Sequence, residues 1–222
     1  VKTIVTTDII KKIADNYGVE LIEVLTGFKF IGEQIGILEE KGEDSRYIFG
    51  YEESYGCLIA PFARDKDGCQ AILMYCEMAL FYFLKGKRLD EAWDDLCKRF
   101  GYHQDITYSM EFFGSEGQAK MNNLMNTLHK DPFISINGLK VVKVDDVEKG
   151  ERITKDKKEP LNLPKSNVVK LYLEDGSVVT VRPSGTEPKV KFYVGTVLKE
   201  KPVDNSFPDA LFKSIKETLH LL

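Results

Sequence analysis

The chain has 222 residues, 43% of them hydrophobic and 30% charged, with a formal net charge of −4. That is enough polypeptide for one large domain or two ordinary ones, each with its own core. Acid and base are interspersed, which excludes a protein that holds nucleic acid by bulk charge, so any anion site must come from local arrangement. Cys57, Cys69, Cys76 and Cys97 form no C-x-x-C pair and lie beside no His at metal-ligand spacing. They are expected as reduced, mostly buried thiols of a cytoplasmic protein.

The elements follow in chain order. VKTIV reads as a strand already under way, without an initiator methionine or a signal-peptide pattern, and the chain is expected to be part of something longer. TTDIIKKIADNYG predicts a helix with Thr7 or Asp8 as cap, apolar Ile9, Ile10, Ile13 and Tyr17 on one side, and Gly18 as terminator. VELIEVL returns to strand, FKFIGEQIGILEEKG predicts a second helix, and SRYIFGYE predicts a short strand. A long helix follows from near Asp67 to Gly86, and LDEAWDDLCKRFG gives another, closed by Gly101. The apolar run AILMYCEMALFYFL (71–84) contains Glu77 and falls short of the roughly 20 residues that span a bilayer, so it is expected as a core helix with no membrane partner.

This strand–helix alternation predicts a three-layer, mixed-sheet α/β domain over residues 1–104. In such sheets ligands gather at the loops following the carboxyl ends of the strands, which is where residues 50–56 fall. Residues 105–222 predict a smaller α+β domain: strand DITYSMEFF, helix EGQAKMNNLMNTLHK, strand LKVVKVDDV, a polar connection GERITKDKKEPLNLPKSN, a hairpin turned at Asp175-Gly176, one more strand, and a last helix near 204–222.

Three clusters carry chemistry. In TVRPSGTEPKVKFYV (180–194), Val179 and Val181 share one strand face and Thr180 and Arg182 the other; Val190, Phe192 and Val194 face away from Lys189, Lys191 and Tyr193. If these strands pair, Arg182 and Lys191 lie on one side beside Ser184, Gly185 and Thr186. Gly185 at positive φ would aim successive N–H groups at one point, and Arg182 would grip a phosphate with its planar fork. An ordinary basic turn is the competing reading. GYEESYG (50–56) sets Glu52, Glu53 and Ser54 after a strand, a grouping suited to sugar hydroxyls or simply an acidic loop; as neighbours, Glu52 and Glu53 cannot share a site. FARDKDG (62–68) places Lys66 by a helix start, for phosphate pairing or proton transfer, or as plain surface charge. LTGFKF (25–30) turns at Gly27. His103, His129 and His220 are scattered and give no hydrolase triad.

Taken in order, TGFKFIGE, GYEESYG, RDKDG and RPSGTEPKVKFY resemble the α-D-phosphohexomutase superfamily, in its phosphoglucomutase and phosphomannomutase members. The resemblance covers essentially the whole chain. It implies the third domain (1–104) and the fourth (105–222) of four, lacking the amino-terminal loops that resemble T-A-S-H-N-P, which carries the phosphorylated serine, and D-G-D-x-D-R, which holds the metal. It further implies that Thr26, Gly27, Glu52 and Ser54 contact the sugar and that Lys66 stands near the transferred phosphoryl group. Arg182, Ser184, Gly185, Thr186 and Lys191 would clamp the distal phosphate. Family loops often begin Gly-Glu-x-Ser; here Tyr51 stands in the first place. The implied activity is exchange of hexose 1-phosphate and hexose 6-phosphate through glucose 1,6-bisphosphate with Mg²⁺, the fragment alone being inactive. Phosphopentomutase action and a stand-alone sugar-phosphate-binding module are the alternatives.

Overall fold

A computed structural model of the chain describes residues 1–132, 134–185 and 187–221. The polypeptide divides into two compact units, Val1–Gly101 and Tyr102–Leu222, the second being the longer. Gly101 ends a helix and a strand begins at Tyr102, so residues 102–104 belong to the second unit, where they pair with Thr196, Val197 and Leu198.

In the first unit, β1 (Lys2–Thr3) lies between β2 (Glu23–Val24) and β3 (Gly50–Glu52), parallel to both, and β4 (Gly56–Leu58) adds an antiparallel edge. The helix α1 (Ile9–Tyr17) links β1 to β2, and α2 (Phe28–Glu40) links β2 to β3. These crossings run in opposite directions along the sheet, and the right-handed rule puts their helices on opposite faces. Gly18 ends α1 at φ 63, where glycine escapes the Cβ clash. Phe28, Ile31 and Ile35 of α2 pack with Val24, Tyr47 and Leu58 to form the core. Asp8 occupies the N-cap of α1, but its carboxylate makes no cap bond. It meets the Lys2 ammonium at 2.9 Å and that of Lys11 at 3.2 Å, and Glu23 completes the cluster at 3.1 Å from each lysine. Lys2 is fully buried, so its charge needs those partners and the carbonyls of Thr3 and Thr6.

α3 (Gly68–Leu84) and α4 (Leu89–Phe100) follow. Asp67 caps α3 by accepting from the amides of Cys69 and Gln70. The expected core helix is not buried: no residue of α3 is, and Ile72, Leu73, Tyr75, Phe83 and Leu84 are each more than half exposed. The helix is apolar on every side, so burial would need neighbours on several faces, and within this unit its main neighbours are β4 and α4. For the same reason Cys69 and Cys76 are exposed, Cys57 is half-buried, and only Cys97 is buried; all four are free thiols. Among the described residues no helix is long and apolar enough to cross a membrane.

The second unit is a sheet in the order β5 (Tyr102–Glu111), β12 (Lys189–Leu198), β11 (Val178–Pro183), β10 (Val169–Leu173), β7 (Leu139–Asp146), β8 (Glu151–Thr154), β9 (Lys158–Pro160), with β6 (Ser135–Ile136) paired to β7. All of its pairings are antiparallel. α5 (Gly114–Lys130) and α6 (Ser206–Thr218) supply Leu124, Met125, Leu128, Leu211 and Ile215 to a core shared with Val144, Leu171, Val181 and Phe192. The polar connection is corrected: it contains the β8–β9 hairpin. Its composition concealed this because β9 is exposed along its length, and β8 is recruited by Arg152, which forks onto Asp145 at 2.6 and 2.7 Å.

Two adjacent aspartates hold this part of the sheet. Tyr172 Oη donates to Asp145 at 2.8 Å, and Asp146 meets His129 Nδ1 at 2.9 Å and the Lys149 amide at 3.0 Å. Burial pushes both carboxyls up, but the hydrogen bonds outweigh it, from Arg152 and Tyr172 on Asp145 and from Lys149 and His129 on Asp146. Both therefore sit below the usual aspartate value. A carboxyl depressed by folding adds stability above its unfolded pKa of about 3.9 and loses it as pH falls through the lower folded value. The second unit should therefore weaken below about pH 4, with a smaller loss in Asp145→Asn; urea midpoints followed from neutral pH downward would check this. Leu128→Ala, at a side chain with no exposure, should cost about 2–5 kcal/mol in the same measurement.

Candidate functional site

The loops after β1, β2 and β3 gather at the carboxyl edge of the first sheet. Thr26 and Gly27 follow β2, and Gly27, at φ 118 and ψ 132, serves as N-cap of α2 in a region that only glycine enters readily. Glu52 ends β3, opposite Gly56 across a three-residue turn, with only 7% of its surface exposed. Its Oε1 accepts from Ser54 Oγ at 2.7 Å and from Lys66 Nζ at 2.6 Å. Its other oxygen makes no hydrogen bond among the described residues, which leaves it able to accept from a ligand hydroxyl.

Lys66 reaches Glu52 by passing over Gly56. A Cβ on Gly56 would lie 2.5 Å from Lys66 Cδ and 3.1 Å from Glu52 Oε1. The hydrogen bond to Glu52 holds the Lys66 ammonium above the ordinary lysine value, so at neutral pH it is a cation and a proton donor. Gln70 of α3 accepts from the amides of Ile59 and Ala60 at 2.9 and 2.8 Å, fixing the chain beyond β4 to the helix that Lys66 precedes. Lys29, Arg64 and Lys66 line one open depression of about 670 Å³.

In the second unit β11 and β12 pair with Arg182 directly opposite Lys191, and Ser109 of β5 opposite Lys191 on its other side. Cross-strand partners lie on one face about 5 Å apart at Cβ. Two like charges so placed repel, and among the described residues neither forms an ion pair. Lys189 is occupied by Glu187 at 2.5 Å, and this pairing raises the lysine and lowers the carboxyl. The Ser184 amide donates to Lys189 O at 2.8 Å, and Ser184 Oγ accepts from the Glu187 amide at 3.3 Å.

Gly185 corrects an expectation: it is absent from the positive-φ residues. A loop this wide closes on the Ser184–Lys189 bond without the left-handed residue that a two-residue turn demands. A Cβ there would meet nothing within 4 Å, so the position is open space beside Arg182. Thr186 lies outside the described residues. Thus Glu52, Ser54 and Lys66 form one hydrogen-bonded group, Thr26 and Gly27 stand at the same sheet edge, and Arg182, Ser184, Gly185 and Lys191 sit at one end of the second sheet. Sequence reasoning missed Gly56, Gln70 and Lys29; Gly56 was visible as the end of GYEESYG, but its role needs Lys66 in place.

Comparisons with known proteins identify the family. Residues 1–100 match the family model described as phosphoglucomutase/phosphomannomutase, alpha/beta/alpha domain III, and residues 139–205 match the C-terminal domain of the same family. The chain belongs to the phosphoglucomutase/phosphomannomutase family. A phosphoglucomutase of Staphylococcus epidermidis is 36% identical over 96% of this chain and 39% of its own length; one of Staphylococcus aureus is 39% identical over 87% and 35%. The chain therefore spans about two fifths of the length of these curated relatives. The open-form crystal structure of parafusin, a phosphoglucomutase from Paramecium, matches with a TM-score of 0.66 at 23% identity, over 99% of this chain and 36% of that one, and so shares its fold.

Gly56→Val should drive Lys66 away from Glu52. The Lys66 pKa should then fall back toward the ordinary lysine value in an NMR titration, as it should in Glu52→Gln.

Proposed function

We propose that these two units are the sugar- and phosphate-reading part of a phosphoglucomutase/phosphomannomutase-type enzyme. That enzyme exchanges hexose 1-phosphate and hexose 6-phosphate through a bisphosphate, with glucose 1-phosphate as first-ranked substrate. The observation that carries the reading is the Arg182–Lys191 pair, two cations held opposite each other on neighbouring strands, neither in an ion pair among the described residues. A phosphate placed there relieves the repulsion and gains charge-assisted hydrogen bonds of about 1.5–3 kcal/mol each.

The roles follow from the chemistry. Glu52 and Ser54 read adjacent sugar hydroxyls, the groups that stay central when the sugar turns over between two opposed poses. Thr26 and Gly27 contact the ring from the neighbouring loop. Lys66 exchanges Glu52 for a phosphoryl oxygen, or gives up its proton, when substrate is present. Arg182, Ser184, Gly185, Thr186 and Lys191 hold the phosphate that is not reacting. All of this is positioning, which contributes by fixing geometry before the chemical step.

Magnesium would neutralise the transferring group in the family reaction. This reading puts the metal and the phosphorylated serine on the family's amino-terminal domains. The uncovered apolar surface of α3 supports further polypeptide packing against the first unit in the active enzyme. Glucose 1,6-bisphosphate is then the intermediate, and the natural compartment is the cytoplasm.

The chain alone is expected to show no interconversion of glucose 1-phosphate and glucose 6-phosphate in a coupled assay; turnover would refute that division of labour. Inorganic phosphate should raise its melting temperature, and Arg182→Ala should weaken phosphate binding about 30-fold, the equivalent of about 2 kcal/mol. No phosphate effect at all would remove the clamp. Micromolar binding of glucose 1,6-bisphosphate, lost in Arg182→Ala, would favour the stand-alone binding module, and preference for ribose phosphates would favour a phosphopentomutase.

A further inference from the structure

Glu53 opens the turn that follows β3, and the structure shows where its side chain goes. Thr3 Oγ1, on the central strand and fully buried, donates to Glu53 Oε2 at 3.0 Å. That uses the only hydrogen of the Thr3 hydroxyl, so the Thr6 hydroxyl is the donor in the 2.6 Å contact between the two threonines. The Thr6 carbonyl in turn takes the ammonium of buried Lys2 at 2.7 Å. A continuous polar chain thus runs from the centre of the first sheet to the tip of the β3–β4 hairpin.

A second observation lies in the same turn. Tyr55 has φ 61, a left-handed conformation that a three-residue hairpin loop usually gives to glycine, and its ring is fully exposed at 103%. Burial of the ring does not compensate the strain. Of the three turn residues, Ser54 bonds back to Glu52, and Glu53 reaches across to a different strand.

We propose that Glu53 is a positioning residue: tethered to Thr3, its carboxylate presets the 53–55 turn so that Glu52 and Ser54 are aimed at a sugar ring before it binds. The identity of the ligand rests on the function proposed above, while the tether is measurable without ligand. With the anchor in place, Glu52 Oε1 is held within reach of both Ser54 and Lys66. Without it, the strained turn relaxes and the two sugar-reading groups part.

The test uses the 222-residue chain. Amide hydrogen exchange at Ser54, Tyr55 and Gly56 is measured without ligand, and glucose 1-phosphate is then titrated while the Glu52 and Ser54 amides are followed by NMR. Glu53→Ala should speed exchange at these three amides by about tenfold and weaken sugar-phosphate binding by a similar factor, with the melting temperature nearly unchanged. Glu53→Gln, which still accepts from Thr3, should restore most of both. Thr3→Val, which removes the donor from the other end, should reproduce the local exchange pattern of Glu53→Ala. Unchanged exchange in Glu53→Ala would overturn the proposal, as would a fall in melting temperature that Glu53→Gln does not rescue. If the unaltered chain binds no glucose 1-phosphate but Glu53→Ala still frees the turn, the tether stands and the ligand assignment for this chain fails.

Discussion

Successive side chains on a β-strand point to opposite faces, and both candidate sites depend on that constraint. On β11 and β12 it sends Val181 and Phe192 into the core while Arg182 and Lys191 meet on the other face. On β3 it directs Glu52 to a lysine and a serine, while Glu53, the first residue of the turn, goes to the central strand. The core and the chemistry are therefore set by one pattern: slipping β11 by a single residue would bury Arg182 and expose Val181, and slipping β12 would bury Lys191 and expose Phe192. Selection for a dry core fixes the register, and the register places the charges.

Charge inside the first unit is organised around Lys2. A fully buried ammonium would be costly alone, but here two carboxylates and two main-chain carbonyls surround it. The arrangement ties the loop after β1 to the strand, joining Thr6 of that loop to Thr3 at the end of β1 beneath the hairpin. Lys66 plays the opposite part. It is half-exposed and bound to a single carboxylate, so its pairing is open to exchange where that of Lys2 is not.

α3 shows what local sequence rules leave undecided. Its composition belongs to a buried helix, and its N-cap and length are those of a stable one, yet its surface is open. Hydrophobicity states that a segment needs cover without saying what provides it. For a chain that spans about two fifths of its relatives, a helix that is apolar all round is where the fold of these two units alone leaves the most apolar surface in water.

Legible in the amino-acid order were the helices α1 to α6, the alternation that puts Arg182 beside Lys191, the helix start near Asp67, the glycine stop at Gly18 and the motifs of the family, because each depends on neighbours a few residues apart. Only the tertiary structure decided that Asp8 serves buried Lys2 instead of capping α1, that the polar connection becomes a hairpin through Arg152 and Asp145, that Gly185 needs no positive φ, and that Gly56 is small so that Lys66 can cross it. In each of these cases the partner lies on another strand, loop or helix, and the energy of the contact exists only once folding has brought the two together.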